Sequence, residues 1–229
     1  MHLFAFTLIL YAVHAFAQTT PPASAASQYS LSTSTTIPFP TATLDNSDTQ
    51  SFIISNWGLS KGRIQNGASN LVFVADPFPN SPPPGGRSSA SGPVLQVQYP
   101  AGSYQDNNNG GAQMYALWNS SGSAFQSMMI SYEVAFDSGF DWVKGGKLPG
   151  LRGGPDPNNC SGGNQANGTN CFSSRLMWRT DGAGEGASIT SAARRDAVLT
   201  CCAQSLCLYS AAEQRLRGLG YTMQRPIRH

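Results

Sequence analysis

Histidine is almost absent from this sequence, and its absence excludes several kinds of catalytic site. The 229 residues include three histidines, at positions 2, 14 and 229, so the interior of the chain has none. A Ser-His-Asp or Cys-His catalytic site needs an imidazole as its base, and most zinc enzymes use histidine as a metal ligand. We therefore expect neither kind of site, no metal and no cofactor.

Charge is also scarce. Only 11% of the residues are charged, and the formal net charge is +2. Such a balance is not that of a nucleic-acid-binding protein. Beyond the first 17 residues no apolar run approaches the length of a membrane span. We expect a monomer that binds neither nucleic acid nor membranes.

Glycine, proline and aromatic residues are well represented. The chain has 24 glycines, 15 prolines and 10% aromatic residues, a composition typical of a secreted all-β protein. Short apolar runs separated by Gly, Asn and Pro clusters predict strands. These runs are Ser51–Trp57, Asn70–Ala75, Val94–Tyr99, Ala112–Trp118, Met128–Phe136 and Phe172–Arg179.

The chain divides into four compositional segments. Residues 1–17 are almost wholly apolar and end in Ala15-Phe16-Ala17, which predicts a cleaved signal peptide and a secreted, extracellular protein. Residues 18–43 are rich in Ser, Thr, Ala and Pro and predict a spacer. Residues 44–185 form the predicted β domain, and residues 186–229 form a tail of different composition.

The tail differs from the domain in charge and in cysteine content. Residues 1–185 hold 8 basic and 10 acidic residues, whereas residues 186–229 hold 6 arginines and 2 acids. Three of the five cysteines lie in the tail, and strand-like alternation ends where it begins. Two interpretations remain: a genuine C-terminal extension, or a tail created by a retained intron or a lost reading frame.

Cys160 and Cys171 enclose a short loop of Ser, Gly, Asn and Gln. In an oxidising compartment we expect these two residues to form a disulfide. A metal site is the alternative, but no histidine or third cysteine lies nearby in the sequence. The total of five cysteines is odd, so at least one thiol is unpaired or intermolecular.

A glycine-rich stretch carries two of the three lysines. Lys144 and Lys147 lie within Phe136–Gly154, with glycines on either side. Glycine allows a tight turn and a close approach of the backbone to a ligand. The stretch is either a ligand-binding loop or a β-turn with solvated lysines.

The segment Cys171–Gly182 predicts a strand with two distinct faces. One face holds Phe172, Ser174, Leu176 and Trp178, and the other holds Ser173, Arg175, Met177 and Arg179. Guanidinium groups pair with carboxylates through two hydrogen bonds, so the second face suits a wet groove that binds carboxylates. The alternative is a solvated outer face on which Arg179 pairs with Asp181 or another acid.

Three strings resemble the fungal branch of polysaccharide lyase family 14, which includes alginate lyases and lyases of glucuronic-acid polymers. They are GFDWVKGGKLPGL at 139–151, CSGG at 160–163 and CFSSRLMWR at 171–179, and the resemblance covers about residues 45–185. It implies a β-jelly roll sandwich that binds an acidic polysaccharide and cleaves it by β-elimination at a uronic acid.

The resemblance also implies roles for individual residues. Lys147 corresponds to the family's essential lysine, as base or carboxylate partner, with Lys144 as its rival. Arg175 would hold the carboxylate, Ser173 would position it, and Arg179 would extend the substrate-binding site.

The chain departs from the family pattern after Glu185. The resemblance places two tyrosines, one of them a proton carrier, at positions that here are Ala187 and Ile189. We therefore expect an incomplete jelly roll with a non-family tail, and a lyase whose activity is impaired. The alternatives are a non-catalytic protein that binds acidic carbohydrate and a structural protein of the cell wall.

Overall fold

The computed structural model of the protein covers most of the predicted domain. It describes residues 22–80, 92–103, 110–117, 127–137, 139–142, 145–156, 160, 167, 169–189 and 211–224, with the backbone alone for 187–189 and 211–224. The predicted signal peptide and Lys144 lie outside these residues. Within them, no helix has the length and apolar character needed to cross a bilayer.

The described part of the chain is built mainly from strands. Two short helices are present, α1 (Pro22–Gln28) and α2 (Asn46–Asn56). The strands are β1 (Thr33–Thr36), β2 (Leu71–Val74), β3 (Val94–Val97), β4 (Ser127–Asp137), β5 (Gly146–Gly153), β6 (Phe172–Trp178), β7 (Gly184–Ile189) and β8 (Ala211–Gln224). Short 3₁₀ turns lie at Ala68–Asn70 and Thr180–Gly182.

The strands form two antiparallel sheets. In the larger sheet of five strands, β8 pairs with β4 along one edge and with β1 and β3 along the other, and β2 follows β3. The smaller sheet has the order β5-β6-β7. The antiparallel arrangement lets each sheet bury one face and leave the other to solvent.

Two strands extend past residue 185, where we expected the strands of the sheet to end. β7 continues to Ile189, and β8 comes from the tail. Apolar residues alternate along Leu219–Met223, but Leu216 is out of phase with them, and the segment also contains glycines at 218 and 220. The position of β8 in the larger sheet is determined by backbone pairing with strands that are distant in sequence. A local sequence pattern does not reveal such pairing.

The predicted strand Ser51–Trp57 is wrong, because these residues lie mainly in α2. The Asp45 side chain caps the helix by accepting a hydrogen bond from the Asp48 amide at 2.8 Å. This bond lowers the pKa of the Asp45 carboxyl. Thr49, Ile53 and Trp57 are buried at a spacing of four residues, which is the helical period rather than that of a strand.

Two hydrophobic clusters stabilise the molecule. The first surrounds Phe73 in the larger sheet and includes Ile53 and Trp57 from the helical region. The second is formed by Phe136 of β4, Leu148 of β5 and Trp178 of β6, and it therefore joins the two sheets. Because the smaller sheet buries one face in this second cluster, its other face is left to carry polar side chains.

Candidate functional site

An extra residue in β5 determines which of its side chains share a face. Lys147 pairs with Met177 and Gly150 with Arg175, so three steps along β5 match two along β6. This mismatch is a β-bulge, which shifts the alternation of the strand by one residue. Leu148 is buried in the second cluster, whereas Lys147 is exposed. Lys147 therefore lies on the face opposite the core.

Two contacts fix the bulge. The Tyr132 hydroxyl of β4 donates a hydrogen bond to the Pro149 carbonyl at 3.0 Å. Gly150 lies so close to β6 that a Cβ atom there would be 2.1 Å from the Ser174 carbonyl oxygen and 2.5 Å from the Arg175 Cα. A glycine is thus required where β5 passes Arg175.

The register gathers basic side chains on the outer face of the smaller sheet. Directly paired residues of antiparallel strands lie on the same face. Arg152 pairs with Ser173, and Arg175 lies two residues further along β6. We call Lys147, Arg152, Ser173 and Arg175 the basic face. The predicted site residues Lys147, Ser173 and Arg175 are thus brought together.

Ser173 orients Arg175. The Nη2 group of Arg175 donates a hydrogen bond to the Ser173 hydroxyl at 2.7 Å. Ser173 is only 2% exposed, so the bond is shielded from solvent. A guanidinium has five N–H donors, so this bond fixes the orientation of Arg175 and leaves its remaining capacity for a carboxylate.

Arg152 is the member of the basic face that sequence reasoning missed. Strict alternation puts Lys147 and Arg152, five residues apart, on opposite faces of a strand. The bulge between them brings both to the same face. The only sign of this bulge in the sequence is the Pro149-Gly150 pair, which is unusual inside a regular strand.

The Arg152 guanidinium lies over the ring of Tyr115, with its central carbon 4.6 Å from the ring centroid. Tyr115 belongs to neither sheet. Its hydroxyl accepts a hydrogen bond from the Gln113 side chain at 2.8 Å. An aromatic residue thus extends the basic face beyond the edge of the smaller sheet.

Arg179 lies beyond the end of β6 and pairs with Glu185. The hydrogen bond between them raises the pKa of the Arg179 guanidinium and lowers the pKa of the Glu185 carboxyl. Both side chains are partly exposed, so the pair contributes little to stability. A substrate-binding role for Arg179 stays a prediction, and Lys144, its companion in that prediction, lies outside the described residues.

The two positions at which the resemblance places tyrosines adjoin the basic face. Ala187 pairs with Arg175 and Ile189 pairs with Ser173. Neither an alanine nor an isoleucine can donate or accept a proton. By this register, Ala187 and Ile189 lie beside Arg175 and Ser173, at the positions where the resemblance expects a proton carrier.

A disulfide anchors the strand that carries Ser173 and Arg175. Cys160 and Cys171 are bonded, with Cα atoms 5.9 Å apart, and both are buried. Cys171 immediately precedes β6. In the chain-entropy account, closing a loop of this size contributes about 2–3 kcal/mol.

The charge of the basic face suits an anion. Three of its four members are basic, and a carboxylate is the anion that a guanidinium fork fits best. Among the described residues, no group of three or more His, Cys, Asp or Glu side chains could hold a metal ion.

Comparison with known proteins agrees with this chemistry. The family model described as polysaccharide lyase 14 matches residues 87–216, more than half of the chain and 31 residues beyond Glu185. No curated protein matches. The chain is similar to the crystal structure of the marine PL-14 alginate lyase from Aplysia kurodai, with 27% identity and a TM-score of 0.51. The alignment covers 80% of this chain and 64% of that one. The predicted all-β jelly-roll class is confirmed.

Proposed function

Because the chain belongs to polysaccharide lyase family 14, we propose that its basic face binds a polymer of uronic acids and cleaves it by β-elimination. The observation that carries the proposal is the register that brings Lys147, Ser173 and Arg175 onto one face of the smaller sheet. Alginate is the substrate named for the similar structure. Alginate and polyglucuronate are therefore the substrates to test first.

The chemistry requires charge neutralisation before proton transfer. The C5 proton of a uronate is weakly acidic because the adjacent carboxylate is already negative. Arg175, oriented by Ser173, pairs with that carboxylate and stabilises the charge that develops on it. The C5 proton then leaves, its bonding electrons form the C4–C5 double bond, and the C4–O4 bond breaks.

Two proton transfers complete this reaction. A base takes the C5 proton, and an acid protonates the departing O4 oxygen. Lys147 is exposed on the same face as Arg175 and is our proposed base. Positions 187 and 189, the neighbours of Arg175 and Ser173, are aliphatic and supply no acid.

The aliphatic residues at positions 187 and 189 lead us to propose an impaired enzyme. General acid or base catalysis contributes about 10²–10⁴-fold to a rate. A chain that binds the polymer but lacks one proton carrier would therefore cleave it slowly. The same observation favours a second candidate function, a protein that binds acidic carbohydrate and does not cleave it.

We also propose that the protein acts outside the cell. The buried Cys160–Cys171 disulfide supports this location, because disulfides persist in oxidising compartments. The apolar N-terminal segment supports it as well.

The test is to measure binding and cleavage of the same polymers by the purified chain. Binding is followed by calorimetry, and cleavage by the ultraviolet absorbance of the new double bond, with a neutral glucan as the control polymer. Arg175→Gln should abolish both signals. Lys147→Arg should retain binding but not cleavage if Lys147 is the base, whereas a mere carboxylate partner would tolerate arginine.

Slow cleavage with binding supports the impaired lyase. Binding without any double bond supports the carbohydrate-binding alternative and overturns the lyase. Binding of neither polymer, or binding that survives Arg175→Gln, overturns both.

A further inference from the structure

Arg152, which lies over the Tyr115 ring, is the basic residue of the basic face that the elimination chemistry does not use. Arg152 pairs directly with Ser173, while Arg175 lies two residues further along β6. The two arginines are therefore diagonal neighbours on adjacent strands. Side chains in this relation start about 7–8 Å apart.

The two guanidinium groups have different anchors. Arg175 is held by the Ser173 hydroxyl at 2.7 Å, within the smaller sheet. Arg152 is held over the Tyr115 ring, 4.6 Å from its centroid, and Tyr115 lies outside that sheet. The anchor of Arg175 thus lies within the smaller sheet, and the anchor of Arg152 lies outside it.

The segment that carries Tyr115 is itself well fixed. The Tyr115 carbonyl accepts a hydrogen bond from the Ser60 amide at 2.8 Å. On either side of it, Gln113 pairs with Asn66 and Ala116 pairs with Leu59. The ring therefore offers a preorganised support, and a cation over an aromatic face is attracted to it at this distance.

We propose that Arg152, supported by Tyr115, is a second carboxylate-binding position, which holds the uronate next to the one bound by Arg175. The proposal rests on the proposed function and deepens it, since it assigns the substrate class as a chain with carboxylates on successive units. A guanidinium fork takes both oxygens of one carboxylate. Each unit of a polyuronate carries one carboxylate, so two forks on one face can engage two units of the same chain.

The test compares the affinities for a uronate monomer and for an oligomer. Glucuronic acid and linear oligoglucuronate are the probes, titrated at low salt with the full chain. The wild type should bind the oligomer more tightly than the monomer. Arg152→Gln should lower oligomer affinity about tenfold or more and monomer affinity much less, because a charge-assisted hydrogen bond is lost at the neighbouring unit.

Four further variants separate binding from structure. Arg152→Lys keeps the charge but loses the two-pronged guanidinium group. This variant should retain only part of the preference for the oligomer over the monomer. Tyr115→Leu removes the ring and should weaken oligomer binding, whereas Tyr115→Phe keeps the ring and should behave like the wild type. Arg63→Gln, at an exposed arginine on the turn after α2, is the matched control and should change neither affinity.

The outcomes distinguish this proposal from the proposed function. If Arg152→Gln leaves oligomer binding intact, or weakens monomer and oligomer equally, the second position is overturned while the Arg175 site stands. Equal behaviour of Tyr115→Leu and the wild type overturns the supporting role of the ring. If the wild type binds neither these probes nor alginate, the proposed function itself has failed.

Discussion

At the residue scale, one buried hydroxyl determines how the basic face presents its charge. An arginine side chain has many rotamers, and holding it in one of them costs conformational entropy. The bond from Arg175 to Ser173 fixes the guanidinium before any substrate arrives. Binding energy is then not lost to ordering the side chain, which is the general benefit of preorganisation.

Ser173→Ala tests this role. We expect the affinity for polyuronate to fall about tenfold, because a hydrogen bond to a charged group contributes about 1.5–3 kcal/mol. The measurement is calorimetric titration of the wild type and the variant. Ser174→Ala, one residue along on the opposite face of β6, is the matched control and should bind as the wild type does. Equal losses in the two variants would show that the effect is structural rather than specific to Arg175.

Strand alternation was sufficient to predict part of the basic face. It put Ser173 and Arg175 on one side of β6, and the family resemblance added Lys147. Arg152 escaped prediction because its face depends on a bulge, and a bulge is set by contacts with a neighbouring strand. Tyr115 was not predicted as a neighbour of Arg152 because it lies on a segment outside the smaller sheet.

At the element scale, the bulge in β5 allows one strand to contribute residues both to the second cluster and to the basic face. Leu148 enters the second cluster while Lys147 and Arg152 both lie on the outer face. Gly150 lies against the β6 backbone between these two basic residues. Any side chain at residue 150 would push β5 away from Arg175.

Gly150→Ala should therefore damage both stability and binding. The added methyl would lie 2.1 Å from a backbone oxygen, and overpacking of this kind costs about 1–3 kcal/mol. Urea unfolding measures the loss of stability, and polyuronate titration measures the loss of binding. Gly186→Ala is the matched control, because a Cβ there meets nothing within 4 Å. Similar unfolding midpoints for the two variants would contradict the close packing of β5 on β6.

Other elements show where local sequence patterns fail. The run Ser51–Trp57 is apolar enough to suggest a strand, but the Asp45 cap and the four-residue spacing of its buried side chains make it a helix. β8 was not predicted because alternation is limited to Leu219–Met223 and the preceding residues include Ala, Glu and Gly, which are depleted in strands. Its pairing with three other strands is a long-range property of the chain.

At the scale of the whole molecule, our proposal assigns binding and proton transfer to different strands. β5 and β6 carry the basic face, whereas the positions for a proton carrier lie on β7 at 187 and 189. The family match spans all three strands. On our proposal, the chain keeps the charge that would attract a uronate on β5 and β6, while positions 187 and 189 of β7 hold no proton carrier.

The most direct test of this account is the rate of double-bond formation by Ala187→Tyr/Ile189→Tyr compared with the wild type. We predict a rise of about 10²–10⁴-fold on alginate or polyglucuronate, because the two tyrosines would restore a proton carrier beside Arg175 and Ser173. Adding Arg175→Gln to the double variant should abolish the gain. An unchanged rate in a folded double variant that still binds polymer, or a gain that survives the loss of Arg175, would contradict the account.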